Sequence, residues 1–237
     1  MNTLPYTLDP DDHTAVPMGL IVLQTDETIE PEFSALFADD KSPLYVSRIP
    51  SGAEVNTDTL AQMETDLPAA ADLLPKARPY RVVGYGCTSA SSVIGSEQVE
   101  KMVKQTCDVD IVTNPLRAAT ACAKDRGVSK LALLSPYIEE VNTPLRRAFA
   151  KQGITMDVFG TFGEAEEAKV VRISTESVVE AAVRLGTDST VDAVFLSCTN
   201  LRTLAAIPQI EARIRKPVLS SNQSLAWHMK HLNMSQN

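Results

Sequence analysis

Short apolar runs alternate with stretches of helical periodicity from residue 18 almost to the end of the chain. Runs of four to eight apolar residues between turn signals read as buried strands; apolar residues at i, i+3 and i+4 read as helices. The pattern predicts strands at 18–24, 44–49, 81–86 and 109–113, then at 130–135, 154–159, 192–197 and 217–220. Helices are predicted at 29–38, 58–74, 91–105 and 115–126, then at 139–151, 164–185, 201–214 and 222–231. Each half reads β-α-β-α-β-α-β-α, the order of an α/β protein built on parallel sheets.

The halves also resemble one another residue by residue. Val82-Val83-Gly84-Tyr85-Gly86-Cys87-Thr88-Ser89 matches Val194-Phe195-Leu196-Ser197-Cys198-Thr199-Asn200 at an offset of 111 residues (87 to 198). At the same offset Gly19-Leu20-Ile21-Val22 falls on Lys130-Leu131-Ala132-Leu133, and Ser51-Gly52 falls on Phe162-Gly163. Near the end of each half Asn114 matches Asn222 at an offset of 108 (114 to 222). A repeat this long implies two pseudo-symmetric lobes, each a parallel four-stranded sheet flanked by helices, rather than a solenoid. The first lobe is expected over 1–126 and the second over 127–221, with 222–237 crossing back onto the first. Open α/β sheets bind ligands beyond the carboxyl ends of their strands, so the site is expected in the cleft between lobes.

Composition narrows the class. Hydrophobic content of 44% and charged content of 22% suit a globular protein. A net charge of −8 argues against a nucleic-acid surface. No apolar run is long enough to span a membrane, and the acidic, proline-bearing start (Met1 to His13) lacks the features of a leader, so a cytoplasmic location is expected. Asp9 to Asp12 reads as a solvated acidic arm. The four cysteines (Cys87, Cys107, Cys122, Cys198) are too few for a disulfide framework. With three histidines and no third ligand near His228 and His231, no metal site is expected; those two read as surface or dimer-contact residues.

The repeated cysteines carry the chemistry. Each follows a strand and precedes small hydroxyl or amide residues, so each is expected at a helix N-terminus, where backbone N–H groups and the helix dipole favour thiolate. The neighbouring Thr88, Ser89, Thr199 and Asn200 would leave backbone amides free for a substrate carboxylate. Two thiols on opposite faces of one carbon can take a proton from one side and return it from the other, with no cofactor. A buried strand-end cysteine is commonly only packing, and Cys107 and Cys122 are read that way. Trp227 is read as packing.

Gly86-Cys87-Thr88-Ser89-Ala90-Ser91-Ser92-Val93-Ile94-Gly95 and Ser197-Cys198-Thr199-Asn200-Leu201-Arg202 resemble the signatures of the aspartate/glutamate racemase superfamily, and more narrowly its maleate isomerase and arylmalonate decarboxylase branch. The resemblance extends to Gly19-Leu20-Ile21-Val22 and Ser135-Pro136-Tyr137 and covers nearly the whole chain. It implies flavodoxin-like lobes, no cofactor, a cleft site and a homodimer or higher homo-oligomer. It further implies that Cys87 adds to substrate, that Cys198 acts as acid and that Tyr137 contacts a substrate carboxylate. Decarboxylases of the branch keep only the second cysteine, so Cys87 argues against that activity.

One position departs from this pattern. Maleate isomerases carry asparagine where this chain has Asp26, and a carboxylate facing a dianion is repulsive. Asp26 would suit a ligand ammonium group, although aspartate there can equally cap the following helix. The wording around Asp26 also resembles ectoine-utilisation relatives, whose substrates would be amino acids. Glu164, Glu166 and Glu167 are expected to open a helix; whether one of them or Arg172 lines the cleft is not fixed by the sequence. The leading expectation is a cofactor-independent isomerase of a small carboxylate or amino acid using Cys87 and Cys198. The alternatives are maleate cis–trans isomerisation and a non-catalytic small-carboxylate binding protein.

Overall fold

The computed structural model describes residues 1–10 and 15–234; Asp11, Asp12 and His13 lie outside the described residues. The first lobe runs β1 (Met18–Leu23), α1 (Ile29–Leu36), β2 (Leu44–Ile49), α2 (Thr57–Asp72), β3 (Tyr80–Gly86), α3 (Thr88–Ile94), α4 (Ser96–Val103), β4 (Val109–Thr113) and α5 (Pro115–Asp125). The second runs β5 (Leu131–Tyr137), α6 (Glu139–Ala150), β6 (Phe159–Glu164), α7 (Glu167–Val170), α8 (Thr175–Gly186), β7 (Ala193–Leu196), α9 (Ile207–Ile214), β8 (Val218–Ser220) and α10 (Ser221–Met234).

The strands form two parallel four-stranded sheets, ordered β2-β1-β3-β4 and β6-β5-β7-β8. Equivalent strands hold equivalent places, as the repeat requires. The central strands β1, β5 and β7 are buried at every position, because helices cover both faces of a parallel sheet. No described helix is long and apolar enough to cross a membrane.

The last helix leaves the second sheet and packs on the first. Leu225, Ala226 and Met229 of α10 join Met18, Leu20, Val22, Val82 and Ala118 in one apolar cluster. Gly84 makes this approach possible: a Cβ there would stand 2.6 Å from Met229 Sδ. His228 of α10 is half-buried, with Nδ1 2.9 Å from Thr113 Oγ1, and Trp227 stacks on His231 at 5.4 Å.

Four elements differ from the sequence expectation, each for a local reason. The helix expected at 91–105 starts early, at Thr88, and splits at Gly95, whose φ of +93° breaks the helical path. The strand expected at 154–159 runs instead over Phe159–Glu164. Thr155 does bridge Lys130, but the pairing is interrupted until Phe159, so Phe162-Gly163 lies within a strand while Ser51-Gly52 lies beyond one. The helix expected at 164–185 is two helices, because Ser174 Oγ accepts from Ser177 N at 3.1 Å and caps a fresh start at Thr175. The helix expected at 201–214 begins only at Ile207. Thr203 and Leu204 give their N–H groups to Glu32 Oε1 at 2.8 and 3.0 Å, and Pro208 then sits in the first turn, where proline is tolerated.

Candidate active site

The carboxyl ends of β3 and β7 meet across the cleft. At the end of β3, Gly86 packs so closely that a Cβ would stand 2.7 Å from Ile29 Cδ1. Cys87 follows as the N-cap of α3, its Sγ accepting from Ala90 N at 3.3 Å. Beyond β7 the repeat breaks down: no helix starts at Cys198, contrary to expectation, and α9 begins only at Ile207. Cys198 instead adopts φ +98°, a left-handed conformation that L residues rarely take. Asn200 N donates to its Sγ at 3.3 Å, and its own N–H donates to Ser221 Oγ at 3.1 Å.

Hydroxyl groups bind the two turns together. Thr88 Oγ1 donates to the same Ser221 Oγ at 2.8 Å, and Thr199 Oγ1 donates to the Gly86 carbonyl at 3.2 Å. The lobes are therefore registered to each other at the thiols themselves.

Two buried carboxylates accompany the thiols. Glu167, at the start of α7, accepts from the Tyr137 hydroxyl at 2.6 Å through Oε1 and from Asn200 Nδ2 at 2.6 Å through Oε2. Tyr137 Oη lies 2.9 Å from Cys198 Sγ as well. Because Tyr137 gives its proton to the carboxylate, its oxygen is left to accept from the Cys198 thiol. Asp26 caps α1: Oδ1 accepts from Thr28 N and Ile29 N, both at 2.8 Å. Its Oδ2 is buried without a donor; the nearby Thr199 hydroxyl is directed to Gly86.

Burial sets the electrostatics. It pushes the Cys87 thiol up to about 12 and the Cys198 thiol well above its ordinary value, with the negative field of Glu167 and Asp26 adding to both. The hydrogen bonds from backbone N–H groups oppose this but do not win, so the thiolate preference expected from turn geometry alone is overturned. Glu167 is raised by burial and by Asp26, against the hydrogen bonds from Tyr137 and Asn200. Asp26 is raised by burial, against its capping bonds, Thr199 and Arg48.

These groups surround a cavity of about 10 Å³, roughly the size that holds one water. Loops from both lobes close it. Val55 N donates to Ala165 O at 2.9 Å and Glu167 N to Ala53 O at 3.1 Å, an antiparallel clasp over the cleft.

Of the candidate residues, Cys87, Cys198, Thr88, Ser89, Tyr137 and Thr199 line the cavity. Asp26 and Asn200 do not; they stand behind it, Asn200 tying Glu27 N to its Oδ1 at 3.0 Å and Glu167 to its Nδ2. Of the acidic group left open by the sequence, Glu167 enters the site, whereas Glu164, Glu166 and Arg172 do not line it. Thr25, Ser51 and Glu54 also line it. Thr25 and Ser51 follow strands β1 and β2, so their positions at strand ends were the available signal.

The arylmalonate decarboxylase family pattern matches residues 18–236. The chain belongs to that family. It is 34% identical over 119 residues to the arylmalonate decarboxylase of Bordetella bronchiseptica, a match covering 49% of this chain and 46% of that enzyme. Over 219 residues it is 26% identical to the maleate isomerase of Alcaligenes faecalis, covering 86% and 85% of the two chains. Its fold is that of the Nocardia farcinica maleate cis–trans isomerase, solved as a cysteine-to-serine variant with a covalently bound succinylcysteine intermediate. That superposition has a TM-score of 0.79 at 22% identity and covers 92% of each chain.

Proposed function

We propose that this family member is a cofactor-independent isomerase of a small carboxylic acid, worked by Cys87 and Cys198. The observation that carries this reading is that both thiols line one cavity, each facing a backbone N–H. The roles divide through Tyr137. Its oxygen can accept the Cys198 S–H, which suits Cys198 as the proton donor. The tyrosine beside Cys87, Tyr85, gives its proton to Met63 Sδ rather than to a carboxylate, and Cys87 suits the base or nucleophile.

For racemisation, Cys87 first loses its proton to solvent while the clasp is open, because burial disfavours thiolate in the closed site. As thiolate it takes the α-proton and becomes a thiol, and Cys198 gives its proton to the opposite face and becomes the thiolate. The reverse reaction exchanges these states. A second reading, cis–trans isomerisation of maleate, is favoured by the likeness to maleate isomerases along most of the chain. There Cys87 sulfur would bond to an alkene carbon as the π bond breaks, the former double bond, now single, would rotate, and elimination of the sulfur would return thiolate and fumarate.

Solvent deuterium entering the α-carbon of an amino acid, or fumarate forming from maleate, reads the two reactions separately. Either activity should fall by roughly 10²–10⁴-fold in Cys87→Ala and in Cys198→Ala. Full activity in either variant rejects the two-thiol reading.

A further inference from the structure

Glu167 is 3% exposed and reaches the cavity because the clasp carries it there. Its two donors, Tyr137 and Asn200, are both neutral. A carboxylate has about four acceptor positions, so two remain for a ligand. Among the described residues no lysine, arginine or histidine lines the cavity, while Glu54 also borders it. Asp26, 2% exposed, reinforces the negative field from behind with an oxygen that has no donor. Its cationic neighbour among the described residues, Arg48, is half-exposed and paired with Glu30.

We propose that Glu167, backed by Asp26, is a cation subsite that takes the ammonium group of an amino-acid substrate. This rests on the isomerase reading above and narrows it. A buried carboxylate is costly unless it is paired, and among the described residues no cation pairs with Glu167. A dicarboxylate would add a second like charge beside Glu167 in a dry site, where repulsion is least screened. An amino acid instead brings an ammonium with three donors and a carboxylate for the neutral groups on the other side. A purely structural role, bridging Tyr137 to Asn200, would not distinguish these ligands.

Calorimetry on Cys198→Ala, in which the acid thiol is removed, separates the possibilities. Aspartate, glutamate and alanine are each compared with succinate, glutarate and propionate, which lack only the ammonium group; maleate is included. At least one amino acid should bind ~10-fold or more tightly than its deaminated counterpart, as a charge-assisted bond predicts. Adding Glu167→Gln should bring that ratio to about 1, the amino acid losing affinity and the deaminated counterpart gaining some as the repulsion is removed, whereas Glu167→Asp, which keeps the charge, should preserve part of it.

Equal affinities in the Cys198→Ala protein, a ratio untouched by Glu167→Gln, or no amino acid binding at millimolar concentration would each overturn the subsite. Turnover of maleate through the thiols alongside any of these results leaves the isomerase reading standing. Loss of the thiol dependence while the ratio persists does the reverse.

Discussion

Tyr137 Oη stands 2.9 Å from Cys198 Sγ while giving its proton to Glu167 at 2.6 Å. The tyrosine thereby turns a charge on one side chain into a hydrogen-bond direction on another. Replacing it with phenylalanine keeps the ring and deletes the link. Tyr137→Phe should lower kcat by about 10²-fold or more, since Cys198 loses the group that orients its proton. It should also cost about 1–3 kcal/mol in denaturant unfolding, because Glu167 Oε1 is left buried without its donor. A variant with unchanged kcat would remove Tyr137 from the chemistry.

The backbone at Cys198 holds strain that can be measured apart from the sulfur. Its φ of +98° suits glycine, and such conformations cost non-glycine residues about 1–3 kcal/mol. Cys198→Ala and Cys198→Gly both delete the thiol, but only glycine also relieves the backbone. The glycine variant should therefore be the more stable of the two, by about 1 kcal/mol, in thermal or denaturant unfolding. If alanine proves equal or better, the turn is not strained and its geometry needs another cause.

Much of this arrangement was legible in the chain. The repeat identified two sheets and put one thiol at an equivalent strand end in each, because parallel strands buried on both faces leave near-continuous apolar runs. Where the repeat failed, local competition decided. Pro208 and Ser174 were signals of helix starts that an unbroken periodic reading overlooked. Glu32 could not have been foreseen as the partner of Thr203 and Leu204, since that contact joins residues 171 and 172 positions apart. Glu167 was hidden for the same reason. Three glutamates near one helix start look alike in sequence, and only the clasp with Ala53 and Val55 selects which one turns inward.

Burial of Glu167 also makes stability depend on pH in a defined direction. Its folded-state pKa is raised above the ordinary 4.5, so over the interval between them the folded protein holds more proton than the unfolded chain. Stability then falls as pH rises from about 4.5 and levels off once the folded carboxyl has ionised. Glu100, held below 4.5 by Lys104 and Arg117, contributes in the opposite sense. Comparing wild type with Glu167→Gln cancels that and the other groups remote from Glu167. The wild-type melting temperature minus that of the variant should decrease as pH is raised above 4.5. A difference that grew with pH would mean that the folded protein prefers Glu167 ionised.

The clasp between the lobes lies beside the cavity that both thiols line, so its opening is the expected way in for substrate. The two bonds that close it, Val55 N to Ala165 O and Glu167 N to Ala53 O, are backbone amides and can be followed directly by hydrogen exchange. Opening these loops does not require unfolding of either sheet, and their amides should exchange faster than those of β1 or β5. A ligand held between the thiols would bind only the closed form, and so should slow both amides by the factor 1 + [L]/Kd while leaving the strand amides unaffected. Glu167 would then enter the site in the same movement that excludes water. Exchange at Val55 and Glu167 as slow as in the strands, with or without substrate, would mean that entry follows another route.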